Sequence, residues 1–296
     1  MGLLLYAAVP FYHESLAEWQ LQRGRDRRAA RHLEAALRIL ANRQGSSSLV
    51  AAAVLAGLAR VRILQGNPDL GRPLLATATQ TVLGHSVGKP SRRLIRTLVR
   101  VGQAANVAEA YMDAALLGEK AESLALGLFN RADSIHGTIA ALLADAYAGQ
   151  GLFEQAHQHY QGALEVFRLA SGEDCPQAGA VFVSMSAALA REERWREARE
   201  AGLEAVDILD QTDATQLPEA LSVLADLDAR RGRLAEAEGL RVSICHLWER
   251  LGGTESAALA REYERRAELL RSMERVTEAG YLTGKAQKIR RAVAIA

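Results

Sequence analysis

Small and apolar residues recur along the chain at a spacing that belongs to helices. From Gly151, Phe153 follows at +2, Ala156 at +5, Tyr160 at +9 and Ala163 at +12, which keeps all four on one helical face. A glycine ahead of such a face is a turn, and a small residue at +5 lets two helices approach closely. Gly151–Ala163 is therefore predicted to be the second half of a helix–turn–helix unit. The pattern returns in ERWREAREAGLEAVDIL (193–209), GRLAEAEGLRVSICHLW (232–248) and ERVTEAGYLTGKAQKIR (274–290), with Ala198, Ala237 and Ala279 in the small slot and Gly232 in a turn. Successive slots are 42, 39 and 42 residues apart. Self-similarity at a period between about 20 and 50 residues marks a stacked repeat, because one helix pair cannot bury its apolar face alone.

Upstream, Gly24 reads as a turn with Ala29 in the small slot, and Gly66 as a turn with Gly71 in the slot, 42 residues after Ala29. The run GHSVGKP (84–90) is the clearest linker, with two glycines and a proline. Beyond it the register admits two readings. SRRLIRTLVRVG (91–102) is one helix, and 104–134 is either one long helix with Val107 in the small slot or two helices broken at Gly118. The organisation expected is a single array over 1–296: two repeats in 11–84, an irregular middle in 85–135 and four regular repeats in 136–296.

These residues resemble the tetratricopeptide repeat, and the GEDCP tail (172–176) resembles the longer repeat of the kinesin light chain type. The resemblance implies an all-α, right-handed superhelix (an α-solenoid) of about seven antiparallel helix pairs. It also implies that the first helix of each pair lines a concave groove that takes other proteins or peptides. Two departures bear on the partner. Kinesin light chain repeats carry paired Asn in the groove helix where this chain reads SMSAALA (184–190), and Cys175 stands where their tail has His. Chaperone-clamping arrays combine Lys, Arg and Asn on groove helices, and Asn is absent from the matching places in 179–192.

Charge narrows the partner only slightly. The chain has 296 residues, with 36 basic and 35 acidic side chains and a net charge of +1, so no nucleic acid or anionic membrane is demanded. Nearly all the basic residues are Arg. Cys175 and Cys245, without metal-ligand spacing, suit a reducing compartment, and a cytoplasmic location is expected, with an organelle matrix as the alternative. The start MGLLLYAAVPFYHES has no basic lead and is broken by Pro10, and Tyr6 stands where acylation of Gly2 would want Ser or Thr. A first helix docked on the next is the simpler expectation there, and no stretch reaches membrane-spanning length.

Catalytic signatures do not appear: the chain contains no HExxH, CxxC or GxSxG. GYLTGKA (280–286) imitates a phosphate loop but is one residue short and carries Ala286 where Ser or Thr would hold magnesium. GQGLFE (149–154) imitates a dinucleotide fingerprint but joins two helices. His157 and His159 fall on different helical faces, and Asp207 and Asp210 have no acid–base partner. No enzyme, cofactor or metal is expected. What remains is surface. Lys89, Arg92, Arg93, Arg96 and Arg100 cluster on one helix, with Arg92, Arg96 and Arg100 spaced i, i+4, i+8 as a basic stripe. A row of guanidinium groups suits carboxylates or phosphates, so an acidic peptide or acidic protein face is the sharpest reading, and an ordinary solvated Arg-rich face is its rival. The function expected is a protein–protein interaction scaffold or adaptor. The alternatives are a structural subunit packing its apolar ends (Leu3–Leu5, Ala294–Ala296) on neighbours, or a peptide- or ligand-sensing regulatory domain.

Overall fold

The computed structural model describes residues 13, 15–41, 48–172, 174–213, 215–252 and 256–294. Gly2, Leu3 to Leu5, Tyr6, Pro10 and the terminal Ile295 and Ala296 lie outside the described residues. Among those described, every regular element is a helix. Helical residues 15–22 precede α1 (Asp26–Ala41), α2 (Leu49–Leu64), α3 (Pro68–His85), α4 (Arg92–Val107), α5 (Tyr111–Ala125) and α6 (Ser134–Gly149). There follow α7 (Phe153–Ser171), α8 (Pro176–Arg191), α9 (Trp195–Thr212), α10 (Leu217–Arg230), α11 (Leu234–Gly252), α12 (Ala257–Ser272) and α13 (Val276–Ala294). They form antiparallel pairs, about seven in all, starting with 15–22 against α1 and ending with α12 against α13. Starts are set by local chemistry: the Ser48, Ser91 and Ser256 hydroxyls accept from the backbone N–H of Ala51, Leu94 and Leu259.

The turn inside each pair repeats one geometry. A residue with positive φ ends the first helix at Gly24 (65°), Gly66 (82°), Glu109 (60°), Gly151 (81°), Glu193 (61°), Gly232 (76°) and Glu274 (63°). From the second pair onward the next residue donates its N–H five residues back: Asn67 to the Arg62 carbonyl, Ala110 to Ala105, Leu152 to Tyr147, Arg194 to Leu189, Arg233 to Asp228 and Arg275 to Leu270, all at 2.9–3.0 Å. This is the Schellman closure, which satisfies carbonyls that the helix end leaves over. Four residues further on, the small slot donates to that same residue's carbonyl, as Ala156 does to Leu152 at 3.0 Å.

The middle of the chain follows the same rule, so neither reading of 104–134 describes it. The break falls at Ala108–Ala110 with Glu109 as the turn, α4 runs on to Val107, and Ala114 fills the small slot fully buried. Gly118 lies inside α5, where a Cβ would meet Leu143 Cδ2 at 2.6 Å. It is a close-packing glycine and takes no part in a turn.

The chain divides into two compact units, one of residues 1–21 and 28–173, the other of 22–27 and 174–296. Within the first, α2 to α6 enclose Leu94, Ile95, Leu98, Leu117, Leu142 and Leu143, each no more than 2% exposed. Within the second, Ile244, Leu259, Leu270, Ala279 and Ala286 pack with Trp248 and Tyr263. Each fully buried Leu, Ile or Val side chain contributes about 1.5–3 kcal/mol.

Candidate partner-binding groove

Helix α4 turns one face inward and offers the other. Leu94, Ile95, Leu98, Val99 and Val101 are buried, whereas Arg92, Arg93, Arg96 and Arg100 are exposed. Those four arginines line a groove of about 500 Å³ in the first unit, together with Thr97, Ser15 and the α2 residues Leu49, Val50 and Ala53. Its described lining contains no carboxylate. Lys89 is exposed in the loop before α4 and is not part of that lining.

The groove follows from repeat register. Counted back from their turns at Gly66 and Glu109, Leu49 and Arg92 are both at −17, Val50 and Arg93 at −16, and Ala53 and Arg96 at −13. Equivalent positions on adjacent first helices thus supply the apolar wall and the basic wall. The sequence-level stripe missed Ser15, Thr97 and the α2 wall. The signal that finds the α2 wall is Glu109 as a turn residue, which sets α2 and α4 in register.

Three of the four arginines engage other protein groups. Arg92 donates from Nε to the Leu128 carbonyl at 3.2 Å and lies over the Phe129 ring at 5.0 Å, fixing its plane. Arg93 and Arg100 engage further protein groups. Desolvation pulls the Arg100 guanidinium below its ordinary value although its surface is exposed, as expected for a side chain in a concavity. It remains charged at any physiological pH. A second cavity of about 190 Å³ adjoins at Ala53 and Arg100, and there Arg60 Nη2 donates to both oxygens of Glu18 at 2.6 and 2.7 Å.

The packing positions read from the repeat fall as follows. Gly24, Gly66, Gly151 and Gly232 occupy positive-φ turns. Ala29, Ala156, Ala163, Ala198, Ala237 and Ala279 are fully buried, and Tyr160 is buried with its hydroxyl donating to Asp145 at 2.8 Å. Gly71 faces the Ala59 carbonyl so closely that a Cβ would stand 2.9 Å from that oxygen. Cys175 and Cys245 are free and buried, and burial pushes the Cys245 thiol up to about 12. The GYLTGKA segment lies wholly within α13, with no strand before it.

Residues 137–211 match the tetratricopeptide repeat family model. A search of curated proteins finds no match. Among solved structures, a Rap protein complexed with competence and sporulation factor is 14% identical with a TM-score of 0.61, over 99% of this chain and 77% of that one. A Podosopora anserina protein of nearly identical TPR-like repeats, described as a kinesin light chain, is 16% identical with a TM-score of 0.52, over 68% of this chain and 96% of that one. Aspartyl phosphate phosphatase F from Bacillus subtilis is 10% identical with a TM-score of 0.51, over 86% and 75%. Residues 137–211 thus carry the tetratricopeptide repeat pattern, and the likeness to these structures is one of fold. No helix among the described residues is long and apolar enough to cross a membrane.

Proposed function

We propose that the protein is a non-enzymatic interaction scaffold that docks an extended acidic peptide segment along α4. The observation that carries this is the groove itself: four arginines on one wall, Leu49, Val50 and Ala53 on the other, and no carboxylate in the described lining. Arg92, Arg96 and Arg100 recur every four residues, a rise of about 6 Å along a helix. An extended chain places alternate side chains about 6.6–6.8 Å apart, so a carboxylate at every second residue of such a segment meets the next guanidinium. The interposed side chains then face the apolar wall. Partial desolvation at Arg100 strengthens a charge-assisted pair there relative to one in open water. A Rap protein of similar fold binds a factor of its own, which agrees with a role in binding. Two buried free thiols suit a reducing, cytoplasm-like compartment.

The test is an array of extended peptides with acidic residues at alternate, adjacent and scrambled positions, read by fluorescence anisotropy at two salt concentrations. Wild-type protein is expected to prefer the alternating series, more weakly at high salt, and Arg96→Glu/Arg100→Glu to lose at least tenfold in affinity with its helical circular dichroism intact. Equal binding by the charge-reversed protein, or indifference to acidic residues, would sink the reading.

A further inference from the structure

The second unit carries a cavity that takes no part in the arginine groove. It is bounded by α11, α12 and α13 and has a volume of about 530 Å³. A further cavity of about 360 Å³ continues it towards Ile289 and Ala292, and the two share Glu249, Tyr263 and Lys285. Small-molecule sites typically enclose about 300–1,000 Å³. Cys245, Leu270 and Leu282 line the larger cavity and are buried, whereas Tyr281 on the same lining is 65% exposed.

Most charges along this lining are already answered by protein. Glu249 accepts from the Tyr263 hydroxyl at 2.7 Å and faces His246 Nδ1 at 3.5 Å. Glu278 pairs with Arg275 at 2.7 Å, and Arg266 with Glu238 at 2.6 Å. Lys285 differs. Its Nζ lies 5.4 Å from the centroid of the Tyr263 ring and 4.9 Å from that of Tyr281, and among the described residues no carboxylate pairs with it or with Lys288. Ring faces attract an ammonium but accept no strong hydrogen bond, so its three donors are left for solvent or an anion. We propose that this cavity takes a small aromatic carboxylate, its ring among Cys245, Leu270, Leu282 and the Tyr281 ring and its carboxylate on the Lys285 ammonium. Charge complementarity selects the anion, and the apolar lining selects its body. The exposed Tyr281 ring favours a flat partner, since aromatic pairs gain from offset or edge-to-face contact beyond the area they bury. Lys288, three residues on along α13, adds positive charge on the same side. Glu249 and Glu278 disfavour a second negative charge, so the ligand is a monoanion. Nothing in this depends on the arginine groove.

The experiment titrates the full chain by calorimetry with 2-naphthoate, with uncharged 2-naphthamide and with cationic 2-naphthylmethylammonium. One naphthoate per chain is expected, about tenfold tighter than the amide, with a rise in thermal midpoint. Lys285→Met keeps an apolar stem on an exposed residue, so its fold is expected to persist by circular dichroism. It is expected to bring naphthoate down to the affinity of the amide and to leave the amide unchanged. Val242→Phe fills the cavity and is expected to weaken both, whereas Lys120→Met on α5 alters neither. Absence of naphthoate binding, equal affinity for naphthoate and its amide, preference for the ammonium, or naphthoate binding unmoved by Lys285→Met would each overturn the proposal.

Discussion

The two units use the same repeat positions for opposite electrostatic ends. At −13 and −9 from the turn, the first unit places Ala53 and Gly57 on α2 and Arg96 and Arg100 on α4, so the charge there is of one sign. The second unit places Glu219 on α10 and Arg261 and Arg265 on α12 at those positions, so charges of both signs answer one another. Its arginines are also committed to structure. Arg265 donates to the Ser222 hydroxyl at 2.7 Å, Arg266 pairs with Glu238 at 2.6 Å and Arg290 with Glu264 at 2.6 Å. Arg241 goes furthest. It occupies the +9 core position that Leu33, Leu75 and Tyr160 fill elsewhere, is 3% exposed, and is held by Glu262 at 2.7 Å and by Asp226. One repeat thus carries arginine either as a strut or as a surface open to a partner, and the surrounding carboxylates decide which.

The widest gap between the two is expected on removing a charge from each. Glu262→Ala leaves Arg241 buried with Asp226 alone, at a cost of roughly 3 kcal/mol, the low end for breaking a buried pair because one partner remains. Arg96→Ala, on the exposed wall of the groove, is expected to change stability by less than about 0.5 kcal/mol. Urea unfolding of both variants checks this, and equal costs would erase the distinction between strut and surface.

A smaller effect tests the shared frame of the units. Left-handed backbone at a non-glycine residue costs about 1–2 kcal/mol, and glycine gives back part of that in the unfolded chain. Glu109→Gly in the first unit and Glu193→Gly in the second are each expected to stabilise by about 0.5–1 kcal/mol. A loss at Glu109 alone would mean that its turn is not equivalent to the others.

The smallest effect is set by pH. Desolvation raises the Glu219 carboxyl to about 7, against which the Arg261 charge acts. Its folded pKa thus exceeds its ordinary value, so the stability it contributes is full below about pH 4.5 and is lost as pH rises through about 7. Glu219→Gln is expected to match wild type in acid and to gain on it across that window, by a modest amount because the side chain is exposed. A stability difference independent of pH would count against this assignment.

The array was legible because its turns and slots use Gly and Ala, whose roles follow from size. From Gly151 onward that rule holds with Glu193 and Glu274 standing in turns, each ahead of an alanine at +5. It lapses in the middle, where both readings pass over Glu109: one runs a single helix through 104–134 with Val107 in the slot, the other breaks it at Gly118. Steric need explains why: a helix-packing glycine and a turn glycine look alike in sequence, and only the contact with Leu143 separates them. The basic stripe was visible on α4 alone. Its apolar wall depends on pairing with α2, a tertiary contact that no local spacing encodes.

The Schellman turns have one more consequence. Each closes with backbone bonds that begin and end within its own pair. Glu109 and Gly151, 42 residues apart, hold the same place in that closure. Deleting or duplicating the chain between them would rejoin a turn to a continuation it already fits. The gene can therefore lengthen or shorten its product by whole periods, as a text is edited by the paragraph, and the reach of the binding surface can be inherited in discrete steps.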